Sequence, residues 1–175
     1  IDNTLSGESM ALHIINKLNS RLKFLYRQNR FLTQNLRRLL CNALIQPFFD
    51  YACSAWYPNL NQNLKKRLQS AQNKWMRFCL QLGQRKRIIS KHFELINWLK
   101  VENRVYQCIC SNVFNFFDKK CPEYMSELYF PADQNGSYTR GSFNKLKLPA
   151  RKTNAGLKAL SYIGPTTWNK IPQTI

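Results

Sequence analysis

The chain has 175 residues, 44% of them hydrophobic, and sets 27 Lys and Arg against nine Asp and Glu, a formal net charge of +18. That length and apolar content give room for one domain with a real core and exclude a disordered chain. No stretch approaches the ~18 apolar residues of a membrane span, and no basic-then-apolar leader opens the sequence.

Six scattered cysteines (Cys41, Cys53, Cys79, Cys108, Cys110, Cys121) are too sparse for a disulfide scaffold, so a reducing cytosol or nucleus fits. A chain this basic attracts polyanions and speeds encounter with them. Nucleic acid is therefore the expected partner, well ahead of an anionic membrane surface. Charge alone does not prove it, because ribosomal and histone-like proteins are basic too. The absence of an initiator Met agrees with a piece of a longer product.

Taken in chain order, residues 6–29 predict an amphipathic helix with Ser6 as N-cap and Ala11, Ile14, Ile15, Leu18, Leu22, Leu25 and Tyr26 inside. Lys17, Arg21, Lys23, Arg27 and Arg30 fill much of its remaining surface. Thr33 can cap a second helix that buries Leu36, Leu39, Leu40, Ala43 and Leu44, and Pro47 should kink it. Phe48, Phe49, Tyr51 and Trp56 read as an aromatic cluster, for core packing in preference to base stacking. Pro58-Asn59 marks a turn. Residues 61–82 predict a third helix with Leu64, Leu68, Ala71, Trp75 and Phe78 inside and Lys65, Lys66, Arg67, Lys74 and Arg77 on more polar sides. Gly83 suits a helix stop.

The densest basic run follows, Gln84-Arg85-Lys86-Arg87, with Lys91 close by; it suits a solvated loop or nuclear-import-like patch as well as direct phosphate contact. A short helix over 90–98, a longer one over 101–117 and another short one from Pro122 to about Leu128 come next. Residues 131–144 are turn-rich and read as a loop. Alternation at Leu146 and Leu148 and at Leu160 and Tyr162 predicts a small hairpin, joined by a basic connector containing Arg151 and Lys152. A short helix containing Trp168 should end at Pro172. The fold class is mainly α: a helical domain over 6–130 and a C-terminal part over 131–175 with a small hairpin.

Four segments carry more than periodicity. They are Ile45-Gln46-Pro47-Phe48-Phe49-Asp50-Tyr51-Ala52-Cys53-Ser54-Ala55-Trp56, Leu68-Gln69-Ser70-Ala71-Gln72-Asn73-Lys74, Ile96-Asn97-Trp98-Leu99-Lys100-Val101, and Ser161-Tyr162-Ile163-Gly164-Pro165-Thr166-Thr167-Trp168-Asn169-Lys170-Ile171-Pro172. In this order they resemble the region that follows the polymerase palm in reverse transcriptases of non-LTR retrotransposons, of the jockey and chicken-repeat type. Two departures stand out: Phe48 occupies a place where many members carry His, and Lys100 replaces the Pro of the family's W-L-P-V turn. Chemistry imagined for that His does not carry over.

The resemblance implies a thumb-like module, with Ile1-Asp2-Asn3 as the tail of the last palm strand. It implies partners in an RNA–DNA hybrid or duplex and in an upstream palm domain. Mg²⁺ would belong to that palm, whose aspartates hold two ions. The nine acids here are dispersed, no two adjacent, and none lies in an aromatic-Ala-Asp-Asp setting. No catalytic residue, metal ligand or cofactor of this chain is expected. A zinc site is disfavoured because the thiols of Cys108-x-Cys110 would point to different sides of a helix. Nothing local supports a Cys–His nucleophile pair, and Gly-rich phosphate loops and Ser-centred elbows are lacking.

The expected contacts are Lys17, Arg21, Lys65, Lys66, Lys74, Arg77, Arg85, Lys86, Arg87, Arg151 and Lys152, binding phosphates without reading sequence. Two rivals stand beside this reading. One is a structural or interaction module whose task is packing on the palm. The other is a domesticated, stand-alone nucleic-acid-binding protein.

Overall fold

A computed structural model describes residues 6–132 and 145–172 of the chain. Ile1-Asp2-Asn3 and most of the 131–144 loop lie outside the described residues. Among those described, the elements are α1 (Glu8–Arg27), α2 (Gln34–Asp50), α3 (Cys53–Trp56), α4 (Gln62–Cys79), α5 (Ser90–Ile96), α6 (Val101–Phe117), α7 (Asn154–Leu157) and α8 (Leu160–Trp168), with short 3₁₀ turns at Asn29–Phe31, Tyr57–Asn59 and Glu123–Leu128. The mainly helical class expected from the sequence is the observed one. The chain divides into two compact units, Ile1–Val105 and Tyr106–Ile175. The division falls inside α6 and not near Phe130, because Phe116, Phe117, Leu128 and Tyr129 share a core with Leu146, Leu160 and Trp168.

In the first unit α1 buries Ala11, Ile14, Ile15, Leu18, Leu22 and Leu25, and α4 buries Leu64, Leu68, Ala71, Trp75 and Phe78, the stripes that helical spacing predicts. The two helices pack against each other. The fully buried Trp75 locks them, since its indole N–H donates to the Leu18 carbonyl at 3.2 Å. α1 begins one residue later than expected. Gly7, not Ser6, is its N-cap, at φ 67°, and Ser6 Oγ instead accepts from the Glu8 N–H at 3.2 Å. A Cβ on Gly7 would lie 2.6 Å from the Trp56 carbonyl oxygen, so the start of α1 rests directly on the backbone of α3.

α2 is capped by Thr33 as predicted, its side chain accepting from the Leu36 N–H. Its buried face is rotated from the predicted one. Arg37, Cys41, Ile45 and Phe49 are inside, whereas Leu39 is 63% exposed, Leu36 39% exposed and Ala43 exposed. The reason is Arg37, a cation only 3% exposed. Its guanidinium donates to the Asn29 carbonyl at 3.1 Å and the Leu32 carbonyl at 2.5 Å, tying down the turn that precedes the helix. It also lies 5.9 Å from the Phe78 ring centroid. Carbonyl oxygens thus replace the water a buried charge would lose.

α4 starts on Asn61, whose Oδ1 accepts from the Leu64 N–H at 2.9 Å. It ends earlier than Gly83. Gln81 takes the left-handed position (φ 52°), and the Leu82 N–H reaches back to the Arg77 carbonyl at 2.9 Å. With its amide oxygen turned toward Arg37, Gln81 accepts from that guanidinium, a link that glycine could not make.

The aromatic group after Pro47 does not form one cluster. Phe49 and Trp56 are buried, but the Tyr51 side chain is 70% exposed; its backbone is what is used, the N–H donating to the Pro47 carbonyl at 3.0 Å and the carbonyl accepting from the Trp56 indole at 2.9 Å.

In the second unit Val113, Tyr129 and Leu146 form the core. The predicted hairpin is absent from the described residues. Leu146 makes an isolated antiparallel bridge with Pro131, and Leu160 and Tyr162 lie in helix α8. The connector is not a turn between strands either. Thr153 accepts from the Gly156 N–H at 3.1 Å and so caps α7. α8 packs closely under the Tyr129 ring at Gly164, where a Cβ would come within 2.7 Å of it. Asn169 then satisfies both backbone groups of Leu146: its Oδ1 accepts at 3.0 Å and its Nδ2 donates at 2.9 Å. A side chain does the work the second strand was expected to do.

Candidate nucleic-acid interface

α1 and α4 set the charge of the first unit. α1 carries Lys17, Arg21, Lys23 and Arg27, and its only acid is Glu8 in the first turn; α4 carries Lys65, Lys66, Arg67, Lys74 and Arg77 and no acid. Two adjacent rods with this composition give a continuous positive field with little internal neutralisation.

The eleven side chains expected to touch phosphate do not stand alike. Lys17, Lys66 and Lys74 are exposed on α1 and α4. Lys74 Nζ lies 3.4 Å from Asn19 Oδ1, a contact weak enough to leave its other donors available. Lys65 is half-buried, its amine 5.1 Å from the Tyr57 ring centroid.

Arg21 is a structural residue. Its guanidinium donates to the Leu44 carbonyl at 2.9 Å and lies 4.5 Å from the Phe48 ring centroid, joining α1 to α2. Phe48 therefore serves as the platform for this cation. Arg77 is likewise occupied, donating from Nε to the Lys86 carbonyl at 3.1 Å. That bond, with Lys86 N–H to Gly83 O at 3.0 Å, shapes the loop that presents Arg85, Lys86 and Arg87, all exposed. Arg151 and Lys152 are exposed in the second unit, and Arg151 donates to Ser161 Oγ at 3.0 Å.

Two of the segments singled out by sequence, 68–74 and 96–101, contact each other, and residues of the first three segments make further contacts within the first unit. Gln69 Oε1 accepts from the Val101 N–H at 3.1 Å, which satisfies a first-turn donor of α6. The buried Gln72 donates to the Leu99 carbonyl at 2.8 Å, and Gln69 Nε2 donates to Gln72 Oε1 at 2.8 Å. The Trp98 indole donates to Asn42 Oδ1 at 2.7 Å. Asp50 receives both arms of Arg104, at 2.7 and 2.8 Å. These residues therefore hold the first unit together and leave the cationic face of α1 and α4 to solvent.

Sequence reasoning missed two further residues beside that face. Asn19 and Tyr26 lie on α1 with Lys23, in the same groove as Lys74. Their spacing, i, i+4 and i+7, is legible in the sequence, but Tyr26 had been assigned to the core. Burial pushes its phenol above its ordinary value, and like any tyrosine it carries its proton at neutral pH.

Cys41, Cys53 and Cys79 are buried, and all six cysteines are unpaired as disulfides. Among the described residues no group of His, Cys, Asp and Glu is placed to hold a metal ion, and no helix is long and apolar enough to cross a membrane. No family model matches the chain, and no curated protein or solved structure matches it.

Proposed function

We propose that the chain is the non-catalytic, thumb-like region following the palm of a retrotransposon-encoded RNA-directed DNA polymerase, and that it holds the template–primer duplex by its phosphates. The observation that carries this reading is the acid-poor surface of α1 and α4, with Lys17, Lys66 and Lys74 exposed on it. Cations on rigid helices grip an RNA–DNA hybrid by shape and backbone, with no need to reach base edges. The mutual contacts of Gln69, Gln72, Leu99 and Val101 support the reading in that they join two of the segments that carry the resemblance. Mg²⁺ and the reacting groups would belong to the palm of the same polyprotein, in the nucleus or cytoplasm.

The test is a comparison of hybrids of unrelated sequence. Affinities within about threefold of one another agree with phosphate binding, since a wrongly read base pair typically costs ~1–3 kcal/mol. A preference of a hundredfold or more for one sequence contradicts it.

One observation favours a second reading, an interaction module that packs on the palm. The stripe Leu36, Leu39 and Ala43 leaves an apolar face of α2 open. The two roles are compatible, because a thumb must both dock on a palm and hold a duplex.

A further inference from the structure

Asn19, Leu22, Lys23 and Tyr26 occupy one stripe of α1, at i, i+3, i+4 and i+7, and Lys74 faces them from α4. Together they line an open groove of about 380 Å³. Buried Leu22 contributes an apolar wall. The Tyr26 ring is fixed edge-on against Phe78, with centroids 5.1 Å apart and planes at 74°. Asn19 offers its oxygen to Lys74 at 3.4 Å, which leaves its amide N–H groups turned to other acceptors. No acid lines the groove, and Arg77, one turn along α4, acts electrostatically on Tyr26. The residues lining this largely apolar groove therefore bring together two ammonium groups, a carboxamide and a phenol hydroxyl, each able to donate, with no carboxylate among them.

We infer that this α1–α4 groove seats a backbone phosphate of bound nucleic acid, with Lys23 and Lys74 flanking its anionic oxygens and Asn19 and Tyr26 donating to them. The inference rests on the nucleic-acid reading above and names the place where it acts. It sets the contact in a groove whose walls are two packed helices, α1 and α4. Phosphate held there needs no ordering of a loop, and the tyrosine fixes the depth of approach.

The experiment uses the full 175-residue chain and a fluorescein-labelled 20-bp RNA–DNA hybrid, titrated over a range of salt. K23Q with K74Q should weaken binding about tenfold at moderate salt and flatten the log–log salt slope by roughly one, the share of the single phosphate that the two lysines would neutralise. N19D should also weaken binding, because it sets a carboxylate beside Lys74 while keeping both lysines. Circular dichroism and melting of both variants should match the parent. An unchanged slope in K23Q with K74Q, against a steep slope in the parent, overturns the groove and leaves the duplex reading standing. Absence of hybrid binding by the parent overturns both. Inorganic phosphate competing at the same phosphate concentration as the hybrid would assign the groove to free anions and overturn the proposal.

Discussion

Asp50 and Arg104 face each other in a bidentate pair, Nε to Oδ1 at 2.7 Å and Nη2 to Oδ2 at 2.8 Å. The pair joins the C-terminal end of α2 to the first turns of α6, and each side chain is about one-third exposed, at 34%. Partial solvation limits its value, whereas the paired geometry raises it above that of a single-point surface bridge. A double-mutant cycle with D50N and R104A, read from urea unfolding, should give a coupling of about 0.5–1 kcal/mol. Additive effects would show that the pair holds nothing.

Gln72 is a buried amide whose two ends are both used, by Gln69 and by the Leu99 carbonyl. Q72L keeps the bulk and strands the Leu99 carbonyl, for an expected loss of about 1–3 kcal/mol. Urea titration measures it. A neutral effect would mean that the contact between α4 and the start of α6 is incidental.

Gly164 lies against the Tyr129 ring. G164A should destabilise the chain by roughly 1–3 kcal/mol, since the atom it meets belongs to a buried ring and not to a flexible tip. Y129F should be nearly neutral, because the buried Tyr129 hydroxyl has no hydrogen-bond partner among the described residues. A large loss in Y129F would reveal a partner for that hydroxyl.

The same tyrosine sets an alkaline limit. Burial pushes its phenol from 10.0 up to about 12, with a smaller contribution from Cys121. The unfolded chain then ionises first. Stability attributable to Tyr129 is intact below pH 10 and is lost as pH rises through about 12. The difference in melting temperature between the parent and Y129F should be flat up to pH 10 and then shift in favour of Y129F. A flat difference to pH 12 contradicts the burial.

Helical spacing alone located α1, α4 and α6, because each carries a long apolar stripe at helical period. It misplaced the buried face of α2. Leu36 and Leu39 look like core, and nothing local shows that Arg37 finds its partners in the Asn29 and Leu32 carbonyls. The C-terminal unit was the least legible. Alternation over three residues cannot separate a strand from a helix, and Gly164-Pro165 reads as a turn until Tyr129 is seen packed on the glycine. Of the expected contacts, Arg21 and Arg77 were indistinguishable from their neighbours in sequence. Only the fold brings Leu44, Phe48 and the Lys86 carbonyl to them.

The duplex binding proposed above is electrostatic and carried by the first unit's helices. The affinity of the chain for an RNA–DNA hybrid between about 50 and 200 mM salt, where displaced counterions return, tests this directly. At least a roughly tenfold loss is expected over that range, with a shallower slope when Lys17, Lys66 and Lys74 are changed together to Gln. Salt-independent affinity, or a slope indifferent to those three lysines, would contradict it.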